Sequence, residues 1–295
     1  MDQAEQLRKL VRQNSNPPAG IARVITVTSG KGGVGKTSTS VNLAIELSRA
    51  GNRVIVMDAD FGLANIEVML GIRPQYNLAD VMFGGKSIAG IITQGPENIG
   101  FISGGSGIHE LARMKREQIM NLTARLQELD ELADIIIIDT GAGIADSVLE
   151  FVAASAEVLL VVTPEPTSIT DAYALLKTLN RKSEFSTEHT RIRMVANRVG
   201  SGSDGRELFE KLRVVASRFL SFELEYLGDI PQDDQVSRAI IRQKPVVISA
   251  PNSNAGRALK ELAKLLEGTS SEPVAEKKGI AQLFSNLIKS AHKQK

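Results

Sequence analysis

The stretch Gly30-Lys-Gly-Gly-Val-Gly-Lys-Thr37 constrains this chain more than any other. It follows an apolar run, Val24–Thr28, and precedes a helical pattern over Thr37–Ala50. Glycines at this spacing let backbone N–H groups curl around phosphate oxygens without Cβ clashes, and the following helix adds positive potential there. In that strand–loop–helix context Lys36 is placed to reach β- and γ-phosphates, and the Thr37 hydroxyl to ligate Mg²⁺. Gly30, Lys31, Gly32, Gly33, Val34, Gly35, Lys36, Thr37 and Ser38 are therefore candidate nucleotide-binding residues. A loop of this kind commits the chain to a sheet whose strand ends can supply its partners.

The remaining pattern agrees. Strands are expected at Val24–Thr28, Val54–Asp58, Ile99–Ser103, Ile135–Asp139, Val158–Thr163, Arg191–Asn197 and Leu224–Gly228. Runs such as IIIID and VLLVV do not alternate in polarity, so they read as strands buried on both faces of a parallel sheet. Helices are expected between them, including Lys115–Glu131, Ser168–Lys182 and Asp204–Phe222. The fold class is α/β: a doubly wound, mostly parallel sheet with helices on both faces. The chain has 295 residues, ample for one large domain of this type. The polar, Pro/Gly-containing stretches at 13–20 and 268–276 divide it into an N-terminal peptide and linker (1–20), a core (21–267), a linker (268–276) and a C-terminal helix (277–295).

Two strand ends carry the carboxylates such a site needs. VIVMDAD ends in Asp58 and Asp60, and DIIIIDTGAG ends in Asp139 ahead of a Thr-Gly-Ala-Gly turn. An apolar strand terminating in Asp is where a carboxylate holds Mg²⁺, usually through water. The chain has no cysteine, which removes thiolate metal sites and iron–sulfur ligation by cysteine. Its formal net charge of +1 gives no global field toward nucleic acid, and no specific nucleic acid is expected as a partner. No apolar run reaches the roughly 18 residues of a transmembrane helix.

Lys31 departs from the ordinary loop. The pattern KGGVGKT resembles the deviant phosphate loop of the MinD/ParA family of ATPases, and the resemblance extends to DADFGLAN and DTGAG as its two switch segments. It implies ATP and ADP as ligands with Mg²⁺ as cofactor, and slow hydrolysis coupled to formation of a homodimer in which Lys31 reaches the partner's nucleotide. It further implies that Asp60 orients or deprotonates the attacking water, that Asp58 and Asp139 sit in the Mg²⁺ shell, and that the Gly141 N–H meets the γ-phosphate. By the same match Lys31, Lys36 and Asp60 are the catalytic candidates, and Asn197, Pro231 and Asp233 contact the base. From the residues alone, a strand-end turn is the lesser alternative for Asn197, and Asp233 reads equally as a helix N-cap.

The two ends of the chain carry their own signals. In residues 277–295, Ile280, Leu283, Phe284, Leu287 and Ile288 form one apolar stripe at helical spacing, flanked by lysines and free of acidic residues. Such a helix fits a membrane surface; packing on the core and docking to another protein are the alternatives. The N-terminal DQAEQLR resembles the flagellar FlhG/YlxH/FleN branch of the family. That implies a regulator of flagellar number or placement that stimulates the GTPase FlhF through Gln3, with Leu7 on the same short helix. Switch-complex (C-ring) proteins or a flagellar transcription activator are the further partners implied, and the location is the cytoplasm, peripherally on the membrane when ATP is bound. Division-site selection of the MinD type and DNA partitioning of the ParA type are the competing functions.

Overall fold

A computed structural model describes residues 20–60, 65–105, 116–182, 185, 190–200, 202–220, 223–268 and 279–293. Its centre is an eight-stranded sheet: β1 (Arg23–Thr28), β2 (Val54–Ala59), β3 (Thr93–Gln94), β4 (Gly100–Ile102), β5 (Ile135–Thr140), β6 (Glu157–Val162), β7 (Arg191–Val199) and β8 (Leu224–Pro231). The spatial order is β3-β4-β2-β5-β1-β6-β7-β8. Every pairing is parallel except β3 with β4.

The expected strands appear, and the differences have local causes. β3 was not expected; two polar residues carry no periodicity, and it exists as an antiparallel edge on β4. β8 runs past Gly228 to Pro231, with register shifts where β7 and β8 pair. The helix expected over Lys115–Glu131 is interrupted at Glu128, giving Arg116–Gln127 and Leu129–Leu132.

Both faces of the sheet are covered, as non-alternating strands require. On one face Ile25, Val27, Val54, Val56, Ile135 and Ile137 meet the loop helix (Lys36–Arg49) and the helix Asn254–Gly268. On the other, Val24, Ile55, Met57, Ile136 and Ile138 meet Leu122, Leu126 and Leu129 at the β2–β5 side, and Val158, Leu160, Ile192 and Met194 meet helices Pro166–Leu179 and Gly202–Phe219 at the β6–β7 side. Adjacent residues of one strand thus enter opposite cores, the two-residue period of an extended chain.

The C-terminal helix, Ile280–Lys293, belongs to this second face. Ile280, Leu283, Phe284 and Leu287 are buried between helices Arg116–Gln127 and Asp146–Ala154. The Phe284 ring meets the Phe151 ring edge-on at 5.9 Å. The stripe expected at a membrane therefore faces the protein in this conformation, because the second face offers a groove of matching apolar character. The Ile288 side chain lies outside the described residues, as do Gln3 and Leu7 and the rest of 1–19. Most of the linker expected at 268–276 is likewise outside them.

Candidate nucleotide site

The loop between β1 and the loop helix is shaped by glycine at two positions in particular. Gly35 is the helix N-cap with φ 91°, a left-handed conformation that side chains resist. A Cβ there would also collide with the Asn197 side chain. At Gly30 the conflict is spatial: a Cβ would run into the backbone of Asp171 and Ala172 in the helix Pro166–Leu179. The loop is thus seated against that neighbouring helix.

Below the loop, donors converge on one carboxylate. Lys36 Nζ lies 3.2 Å from Asp139 Oδ1, the Thr37 hydroxyl donates to Asp139 Oδ2 at 2.6 Å, and the Ser40 hydroxyl donates to Asp139 Oδ1 at 2.8 Å. Asp139 is fully buried and Lys36 nearly so. Asp58 is the register neighbour of Asp139 across the β2–β5 ladder. Burial, with the Asp139 and Asp60 charges adding to it, pushes the Asp58 carboxyl up to about 7, against the Asp60 backbone N–H that donates to it at 2.9 Å. Asp60 accepts from the Asn65 side chain at 3.0 Å. A Cβ built on Gly141 would stand 3.5 Å from Asp60 Oδ1, so the two switch segments touch at this point. Residues 61–64 of the first switch lie outside the described residues. The second switch is tied back to the loop by the Gly143 N–H, which donates to the Ser29 carbonyl at 2.9 Å.

A hydroxyl and two carboxylates, all oxygen donors, form the hard ligand set that Mg²⁺ prefers. The raised Asp58 marks a buried carboxylate crowded by like charge, where a bound cation would relieve the cost. The fit to a divalent ion therefore rests on Thr37, Asp58 and Asp139.

The base-contact candidates also gather. Gly35, Ser38, Thr39, Asn197, Pro231 and Asp233 line a cleft holding about 500 Å³ of empty space, part of it open solvent. The Asn197 side chain donates to the Val34 carbonyl at 2.7 Å, fixing the strand end to the loop. Asp233 is the N-cap of helix Asp234–Ile241, accepting from the Gln235 N–H at 2.9 Å, and it also accepts from the Ala255 N–H at 3.1 Å. Arg198, with φ 58°, lines the same cleft.

Lys31, expected to reach the nucleotide of a second copy, contacts its own chain here. Its Nζ donates to Glu165 Oε2 at 2.7 Å and to the Thr167 hydroxyl at 2.8 Å, both in its own chain. The lysine holds the exposed Glu165 carboxyl below its ordinary range. Glu165, Thr167, Arg198 and Ser40 were not singled out from sequence. Ser40 had a legible signal, standing one helical turn after Lys36 and hence on the same face; Glu165 had none, since 134 residues separate it from Lys31.

A glycine-capped loop helix, a buried lysine on a strand-end aspartate and a second aspartate beside it define a P-loop NTPase site. The family model described as "ParA: NUBPL iron-transfer P-loop NTPase" matches residues 20–267, and the chain belongs to this ParA/MinD family of P-loop NTPases. It is 44% identical to the antiactivator FleN of Pseudomonas aeruginosa over 245 residues, covering 83% of this chain and 86% of that protein. It is 33% identical to the flagellum site-determining protein YlxH of Helicobacter pylori over 282 residues, 92% of this chain and 91% of that one. Among solved structures, it superposes on the septum site-determining protein MinD complexed with Mg-ADP from Pyrococcus horikoshii with a TM-score of 0.66 at 25% identity, covering 85% and 98% of the two chains.

Proposed function

We propose that this protein is an ATP-driven, dimerising switch that regulates the number or placement of bacterial flagella. One observation carries the nucleotide half: Lys36 and Thr37 meet Asp139 beneath a phosphate loop, with Asp58 alongside it. Likeness to FleN and YlxH over more than four-fifths of the chain supports the flagellar half.

In this reading Lys36 turns from Asp139 to the β- and γ-phosphates, while Thr37, Asp58 and Asp139 would hold Mg²⁺. Held there, Mg²⁺ would supply positive charge against that on the phosphates. Asp60 orients the attacking water and accepts its proton, and the Gly141 N–H holds the γ-phosphate. Adenine occupies the cleft between Asn197, Pro231 and Asp233. Lys31 leaves Glu165 and Thr167 for the nucleotide of a second copy, so turnover waits for pairing. Asp60→Ala should then trap an ATP-bound dimer. Light scattering that finds only monomer with ATP would overturn the switch.

The tail is the membrane arm in this reading. Burying its four described apolar side chains is worth on the order of 6–12 kcal/mol before the cost of ordering the helix. A bilayer offers a comparable apolar environment, so exchanging groove for membrane is nearly neutral for one chain. Two tails on one dimer tip the balance through effective concentration. The head, residues 1–20, stimulates the GTPase FlhF through Gln3 and Leu7. Liposome flotation with ATP against ADP tests the tail. GTPase stimulation by residues 1–20, with Gln3→Ala as control, tests the head.

A further inference from the structure

The roots of the two arms meet on one carboxylate. Ala22, where the head joins β1, donates its N–H to Asp130 Oδ1 at 3.0 Å. Gly279, the residue that opens the tail helix, is buried against the same group: a Cβ built on it would lie 3.0 and 3.2 Å from the two Asp130 oxygens. That Cβ would also collide with the Ile21 side chain. The Leu283 N–H donates to the Gly279 carbonyl at 3.1 Å, so the first turn of the tail starts at this contact. A carboxylate at the start of a 14-residue helix complements its positive end.

We propose that Asp130, Ile21 and Gly279 form a joint that couples release of the tail to loosening of the head. Withdrawing the tail removes Gly279 from Ile21 and takes the helix end away from Asp130. Pulling the head's root off Asp130 removes packing from Gly279. Because each root lends the other its contact, freeing one favours freeing the other, and the effect is equal in both directions. Asp130 is partly buried, which raises its carboxyl, and the Ala22 N–H offsets part of that cost. That the arms serve a partner and a membrane rests on the function proposed above; the joint itself needs neither.

Hydrogen–deuterium exchange on the ADP-loaded full chain tests it. Leu283→Glu puts a charge into the tail's groove and displaces the helix. The joint then requires the Ala22 amide to exchange about tenfold faster or more, while the Ile25 amide deeper in β1 keeps its protection. From the other side, Asp130→Ala should speed the Leu283 amide by a similar factor. If Leu283→Glu does not fold, Gly279→Val crowds Ile21 instead, with the same readout at Ala22. An Ala22 amide as protected with the tail displaced as in wild type overturns the coupling, as does a tail unmoved by Asp130→Ala. Failure to float with liposomes would sink the membrane reading and leave these exchange results standing.

Discussion

The sheet carries charge at both ends of its strands, in two opposite styles. At the N-terminal end Glu157 is gripped by Arg23 through two bonds of 2.7 Å, with Arg193 behind it at 3.8 Å. Glu225 in turn pairs with Arg191 at 3.1 Å and Arg193 at 3.4 Å. Arg23 also caps the Leu266 carbonyl at 2.7 Å. At the C-terminal end the Asp60 and Asp139 charges bear on Asp58, and buried Lys36 pairs with Asp139. One cluster gives each of its two carboxylates arginine partners, three arginines to two glutamates, and holds strand starts together. The other has excess negative charge, a setting in which a bound cation would relieve the crowding. Buried charge alone does not mark a site; what separates the two ends is whether each carboxylate has a cation of its own.

The sharpest separation of the two ends comes from Glu157→Ala. It takes from Arg23 and buried Arg193 the carboxylate they share, leaving Arg193 with Glu225, which should cost about 3–5 kcal/mol in urea unfolding. Nucleotide affinity of the folded fraction should not change by calorimetry. A variant that unfolds no more easily would show the N-terminal cluster to be ornamental to stability.

Asp58 comes next. Its folded carboxyl sits near 7, above the 3.8 of an ordinary aspartate, so the folded state holds the proton more tightly than the unfolded chain. Stability of the metal-free protein should therefore fall as pH rises from about 4 to about 7, by up to about 4 kcal/mol at roughly 1.4 kcal/mol per unit. Asp58→Asn should remove that part of the slope in unfolding curves with chelator present. An identical slope in both proteins would mean the C-terminal end is better compensated than its geometry indicates.

Lys36→Ala should weaken ATP binding on the order of 100-fold or more, since the cation beneath the loop, which pairs with Asp139, is lost. Folding should survive, because Thr37 and Ser40 still donate to Asp139. Calorimetry with ATP checks the first half and a melting curve the second.

Much of this was readable in the sequence, for physical reasons that differ by element. IIIID and VLLVV announce strands because only burial on both faces suits them. The loop glycines and Lys36 are readable because phosphate binding fixes their spacing within eight residues. The grouping of Asp58, Asp60 and Asp139 follows from strand ends sharing one edge. What stayed hidden depends on tertiary neighbours. The stripe Ile280–Leu287 has the same periodicity whether it faces lipid or a groove of Leu122, Leu126 and Phe151, and only packing decides. Glu165 is one acidic residue among 34 acidic positions until β6 carries it to Lys31.

That Lys31–Glu165 contact gives the smallest effect and the finest test of the contrast. Unlike Glu157, Glu165 is half exposed, so water and salt screen its pair with Lys31. Glu165→Gln should leave the unfolding midpoint where it is. Its consequence should appear only on pairing, because in the proposed dimer Lys31 would no longer have to leave a carboxylate, though it would still leave the Thr167 hydroxyl. In an Asp60→Ala background with ATP, the dimer dissociation constant from sedimentation should fall about two- to fivefold, the range of an exposed ion pair. A weaker dimer would instead assign Glu165 to the assembled interface, and the pair would then belong with the working end of the sheet in both of its states.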